Sequence, residues 1–156
     1  MGKAGKRRYS RRMAVRERPA AKYGSKIRLA GKHIETAKAI EHISKGLPYS
    51  ELEHLRGELD EPLETLGRQL SISRSTLQRR KAERRLSSEE SERVMRFWRI
   101  LNHATNLFGT VDRARQWLKF PQFGLGGVVP LEFAKTEVGA REVEDLLGRI
   151  DYGVYS

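Results

Sequence analysis

LGRQLSISRSTLQRR, residues 66–80, has the layout of two helices joined by a sharp turn. Leu66, Leu70, Ile72 and Leu77 are spaced to fill the angle between the helices, while about four residues, SISR, reverse the chain. Ser73 is placed to cap the second helix, RSTLQRRKAERR. Arg74, Ser75, Thr76, Gln78, Arg79 and Arg80 at its start are hydrogen-bonding types, and Arg and Gln can pair bidentately with purine edges in a major groove. Residues 74–85 hold six Lys or Arg against Glu83 alone, which suits phosphate. Charge by itself fits a solvated basic face equally well; the two compact leucine-patterned helices and the serine cap favour a DNA-reading unit. Ser71 stands where such turns usually carry glycine, so an uncomfortable backbone angle is expected there.

Outward from this stretch the periodicity stays helical. HIETAKAIEHISKGLP sets Ile34, Ala37, Ile40 and Ile43 near one face before Gly46 and Pro48 stop it, predicting a first packing helix. Ser50 is expected to cap ELEHLRGEL, with Leu52, Leu55 and Leu59 on one side, and Pro62 to open EPLETLGRQL. Downstream, Ser87 and Glu90 form a capping-box pattern ahead of a long helix carrying Val94, Trp98, Leu101 and Phe108 and ending at Gly109. Thr110 caps another with Ala114, Trp117 and Leu118; a Gly-rich loop then leads through a short turn at Pro130 to a last helix with Val143, Leu146, Leu147 and Ile150. No alternating pattern of useful length and no internal repeat is apparent. The expected fold is all-α: a helix-turn-helix unit over 33–85 and a small helical domain over 86–156.

The net charge of +11 is unevenly spread. Residues 1–33 hold twelve Lys or Arg against Glu17, and the other nineteen bases and nineteen acids cancel. The arm 1–32 lacks apolar periodicity and reads as flexible: a solubilising tail, a stretch upstream of an alternative start at Met13, or a polyelectrolyte arm that strengthens nucleic-acid binding without selecting sequence. With no cysteine, and with His33, His42, His54 and His103 in no ligand spacing, neither disulfide nor metal is expected. No apolar run approaches the ~20 residues that cross a bilayer, so a cytoplasmic protein without membrane contact is expected.

Residues 120–156 reverse the sign, with Lys135, Arg141 and Arg149 against Glu132, Glu137, Glu142, Glu144, Asp145 and Asp151. They close on Tyr152 and Tyr155 with Gly153 between, either folded back on the core or held out as interface anchors. The segment WLKFPQFGLGGVVPLEFAKTEVGAREVEDLLGRIDYGVYS, residues 117–156, resembles the C-terminal toxin-binding domain of Xre/MbcA/ParS-type antitoxins. The resemblance lies in the Trp-Leu pair, the Gly-Gly-x-x-Pro-Leu loop, the helix after it and the tyrosine tail, and extends over about residues 86–156 behind an Xre-type helix-turn-helix.

The resemblance implies an antitoxin encoded beside a RES-domain toxin that degrades NAD. Such antitoxins bind the toxin through this domain, obstruct its active site with the C-terminal segment and repress the shared operon. On this chain the segment is Arg149, Asp151, Tyr152, Gly153, Val154, Tyr155 and Ser156. The alternative is a stand-alone helix-turn-helix regulator; an enzyme fits least. GLGGVV has Val129 where a dinucleotide-binding loop needs its last glycine, no P-loop or nucleophile elbow appears, and no cofactor is called for. A homodimer is expected from the pairing of half-sites, with the long helix bearing Val94, Trp98, Leu101 and Phe108 as its candidate interface.

Overall fold

The computed structural model describes residues 26–29 and 32–153. Its first element is a hairpin, β1 (Lys26–Leu29) and β2 (Lys32–Glu35), antiparallel with Lys26 opposite Glu35 and Leu29 opposite Lys32. The fold is all-α as expected, with this short two-stranded sheet added to it. What the hairpin corrects is the arm, whose last residues are paired in β1, with Leu29 only 3% exposed in the core. The signal was a brief period-two alternation in KIRL, overlooked because it sits at the end of a charge-dominated segment. Residues 1–25, which hold the rest of the arm, lie outside the described residues.

With Ile34 drawn into β2, helix α1 begins only at Thr36 and runs to Lys45. Its inward face is therefore Ala39 with half-buried Ile43, while Ile40 is turned out at 59% exposure, contrary to the expected stripe. Helix α2 (Tyr49–Leu59) starts two residues early, behind Pro48, and Ser50 does not cap it. The Tyr49 N–H instead donates to the Arg84 carbonyl at 3.0 Å, so an end-of-helix donor is satisfied by distant backbone. Helices α3 (Leu63–Gln69) and α4 (Arg74–Glu83) form the expected helix-turn-helix, with Leu66, Leu70, Ile72 and Leu77 all buried. Their close approach depends on Gly67, where a Cβ would lie 2.7 Å from Leu77 Cδ1.

Helix α5 (Ser88–Phe108) has the capping box of Ser87 and Glu90 at one end and Gly109 in the left-handed region at the other. Thr110 caps α6 (Val111–Lys119); a 3-10 turn (Phe123–Leu125) and the four-residue α7 (Pro130–Phe133) lead to α8 (Glu137–Asp151), capped by Thr136. Buried apolar residues from Leu29 to Leu147 form one continuous cluster, because α5 packs on α1, α2 and β1 as well as on α6 and α8. Val94, Trp98 and Leu101 are consumed in this core and Phe108 is half-buried, stacked at a tilt on Trp117 with ring centres 5.7 Å apart. These side chains are thus not the free surface expected of a dimer interface.

Two linkers lock together beside this core. The Leu86 N–H donates to the Leu47 carbonyl at 2.9 Å, the Leu47 N–H to Ser91 Oγ at 2.8 Å, and the Arg85 guanidinium to the Lys45 and Gly46 carbonyls at 3.0 and 2.9 Å. Gly46 has φ +83, and a Cβ there would stand 2.1 Å from the Leu86 carbonyl oxygen. Ser71, by contrast, holds φ 56 without glycine's freedom, as its place in the turn foretold. Gly46→Ala is therefore expected to lower unfolding free energy by at least about 2 kcal/mol, through a strained angle and a backbone clash. Ser71→Gly is expected to raise it by ~0.5–1 kcal/mol. Urea unfolding of the two variants checks both signs.

Candidate functional site

Ser73 builds the start of α4: its Oγ accepts from the Thr76 N–H at 3.2 Å and lies 2.8 Å from Thr76 Oγ1. Thr76 is thereby engaged in the cap and half-buried, whereas Arg74, Ser75, Gln78 and Arg79 are exposed. Glu64, in the first turn of α3, stands 3.9 Å from Arg74. Between them α3 and α4 leave a groove of about 340 Å³ floored by Tyr49, Leu63 and Leu77 and rimmed by Arg74, Gln78 and Lys81.

Arg80 departs from the expected set. It points away from this face to α5, with Nε 2.7 Å from Glu90 and Nη1 2.7 Å from Glu83. Its place is in the packing of α4 on α5. Burial raises the Glu90 carboxyl, but hydrogen bonds from Arg80 and the Ser87 N–H outweigh it and hold the group below its ordinary value. A second arginine, unnoticed in the sequence, completes the mount: Arg93 of α5 donates to the Leu70 and Ser71 carbonyls in the turn at 3.4 and 3.2 Å. Helix α4 and the turn before it are thus both fastened to α5.

Further along α5 the same device holds α8. Arg96 donates to Glu137 at 2.9 Å and to the Lys135 carbonyl at 3.1 Å, and Arg99 reaches Glu144 at 2.5 Å. Burial raises the Glu137 carboxyl, and Arg96 and Arg99 more than reverse it. Gln69 of α3 donates to Glu132 of α7 at 3.3 Å, a direct link between the helix-turn-helix and the C-terminal helices.

Helix α8 buries Gly139, Ala140, Val143 and Leu147. Arg149 is half-buried, and Asp151, Tyr152 and Gly153 are exposed. Tyr152, at 69% exposure, does not fold back on the core; the Gly153 N–H closes the helix on the Ile150 carbonyl at 3.1 Å, with φ 68. Val154, Tyr155 and Ser156 lie outside the described residues. Phe120 and Phe123, which nothing in the Gly-rich loop's sequence marks out, are exposed as well. Among the described residues, no cluster of three His, Asp or Glu is placed to hold a metal, and no helix is long and apolar enough to cross a membrane.

Glu90 and Glu137 both have folded-state values below the ordinary 4.5, so their ion pairs contribute stability that is complete above that value and is lost as pH falls through the lowered ones. Acid unfolding is expected to set in below about pH 4.5. Glu137→Gln should shrink the stability difference between pH 7 and pH 3, measured by urea titration at each pH.

A family model described as the antitoxin Xre-like helix-turn-helix domain matches residues 38–99, and one described as the antitoxin Xre/MbcA/ParS C-terminal toxin-binding domain matches residues 103–153. Both junction residues lie within α5, the helix that the two halves share. Curated relatives named "Antitoxin Xre" include one from Photorhabdus laumondii, 43% identical over 84 residues, which cover 53% of this chain and 57% of that protein. Another, from Yersinia enterocolitica, is 45% identical over 85 residues, 54% of this chain and 57% of its own length. The chain thus spans little more than half the length of the curated relatives it matches. With α4 inside the first matched region, α8 inside the second and α5 reaching into both, the chain belongs to the Xre/MbcA/ParS-type antitoxins.

Proposed function

We propose that this chain binds and inhibits a RES-domain toxin that degrades NAD, and represses the operon encoding the pair through α4. The observation that carries the inhibitory part is the end of α8, where Asp151 and Tyr152 stand exposed at the mouth of the segment that closes the chain. A pocket that grips the NAD pyrophosphate needs basic residues, and Asp151 supplies the matching charge. Tyr152, and Tyr155 beyond it, supply apolar area with a polar tip. Arg149 through Ser156 then lie in or over the pocket, and inhibition is occlusion rather than chemistry.

DNA binding uses the exposed start of α4. Arg74, Ser75, Gln78 and Arg79 read base edges, and the arm ahead of β1 adds phosphate contacts that do not discriminate sequence. A homodimer sets two such helices on paired half-sites. Because α4 is mounted near the start of α5 and α8 further along it, operator and toxin can be held at once.

A chain ending at Ile150 keeps Val143 and Leu147 for folding, so it is expected to repress normally yet lose protection; Tyr152→Ala should fall between it and the full chain. The measurement is cellular NAD in cells expressing toxin and each variant at matched abundance, and full protection by the shortened chain would remove the tail from the mechanism. Arg79→Ala is expected to cost ~1–3 kcal/mol of operator binding and to relax discrimination, in contrast with Arg80→Ala, which acts through stability. Removing residues 1–25 should weaken binding evenly across sequences, lowering the salt slope by about 0.9 for each phosphate that the arm no longer neutralises. Purification with no RES-domain partner from a neighbouring reading frame would leave a stand-alone regulator as the better account.

A further inference from the structure

The loop between α6 and α7 is apolar where water reaches it. Phe123 is 96% exposed and Phe120 68%, with Val128 beside them in the exposed set. Scattered exposed apolar residues need no explanation, but a phenylalanine almost wholly in water, with two apolar neighbours in the same loop, does.

The loop presenting it is closed by its own hydrogen bonds. The Gln122 N–H donates to the Val128 carbonyl at 3.1 Å, the Gly127 and Leu125 N–H groups return to the Gln122 carbonyl at 2.9 and 3.0 Å, and Gln122 Nε2 donates to the Trp117 and Phe120 carbonyls. Leu125 is buried beneath, and Gly124 lies so close to α8 that a Cβ would meet Leu146 Cδ1 at 2.7 Å. Backbone order is thus already in place, so little ordering entropy remains to oppose binding through Phe123.

Leu146 places the loop beside one particular stripe of α8. Residues 138, 142, 145, 149 and 152 recur at steps of four and three and so share a face. Val138 is 74% exposed at its start and Tyr152 ends it; Glu142 and Asp145 between them are exposed and make no ion pair among the described residues. Other acids of this helix are used internally: Glu137 by Arg96 and Arg99, Glu144 by Arg99. The stripe is therefore apolar at its margins, with the acids Glu142 and Asp145 exposed between them and Arg149 half-buried beside Tyr152.

We infer that the Phe120–Val128 loop and the α8 stripe from Val138 to Tyr152 form one docking surface for the toxin, which presents an apolar cleft for Phe123 flanked by basic side chains for Glu142 and Asp145. The inference rests on the toxin-binding reading and assigns affinity and inhibition to different residues. Phe123 anchors, and the tail beyond Tyr152 occludes. The whole surface lies within residues 103–153, the stretch that the toxin-binding domain model matches, so the toxin rather than a second copy of this chain is its occupant. The apolar and acidic parts together fit a basic-rimmed partner, and the stripe runs without a break into the tail assigned to the same partner.

The test uses the full chain and the RES-domain protein encoded beside it, rendered inactive, in calorimetric titration. Phe123→Ser is expected to weaken binding at least ~10-fold, as loss of a central aromatic anchor does. Glu142→Lys with Asp145→Lys should weaken it further and remove its salt dependence, while the operator affinity of each variant stays at the parent value. Unchanged toxin affinity in Phe123→Ser would overturn the inference while leaving the broader reading intact. If the parent chain itself binds no such protein, it is the broader reading that fails. Sedimentation of the chain alone gives the third outcome: a dimer that Phe123→Ser dissociates would make this face a self-contact and overturn the toxin assignment.

Discussion

The described structure hangs on α5, which packs against β1, α1, α2, α6 and α8. Val94, Phe97, Trp98, Ile100, Leu101 and Ala104 are buried along a broad face of it, and α1, α2, α6 and α8 all pack against it, so the helix-turn-helix and the C-terminal helices are two coats on one rod. Neither coat could be peeled off without exposing apolar area on the order of several side chains, each worth roughly 1.5–3 kcal/mol. The polar remainder of the rod does a different job: Glu90, Arg93, Arg96 and Arg99 fall along it and grip α4, the turn, and α8 in order. Apolar burial sets how tightly the coats hold, and this ladder of charges sets where along the rod each one sits.

The sequence revealed the parts whose cause is local. Ser73, Ser87, Thr110 and Thr136 each cap the helix that follows them because a serine or threonine satisfies its neighbours' N–H groups without help from elsewhere. It misled where the partner is distant. Ser50 looked like a cap, but the Arg84 carbonyl, thirty-five positions after Tyr49, claims the N–H that opens α2. Ile40 looked inward until the hairpin displaced the start of α1. Arg80 looked like a DNA contact because composition cannot say which of several basic residues meets an acid ten residues later.

The C-terminal surface shows the same division. The acidic balance of residues 120–156 and the tyrosine spacing were visible at once, but not which acids are spoken for. Glu137 and Glu144 are paired with arginines of α5, which leaves Glu142, Asp145 and Asp151 as the exposed acids of α8 that make no ion pair among the described residues. The phenylalanine loop was hidden in plain text, since an aromatic among glycines reads as core until tertiary packing turns it outward.

The paired linkers also impose an order of events. The contacts of Leu47 with Leu86, and of Gly46 with Arg85 thirty-nine positions on, close a loop that contains all of α2, α3 and α4. Closing a loop of that length costs on the order of 3 kcal/mol in chain entropy before any constant, and the return comes only once Leu86 to Ser91 are present. During synthesis from the N-terminus the helix-turn-helix unit therefore stays open until the start of α5 has left the ribosome. A fragment stopping at Glu83 would contain α2, α3, the turn and α4 whole and still lack the clasp that shapes them.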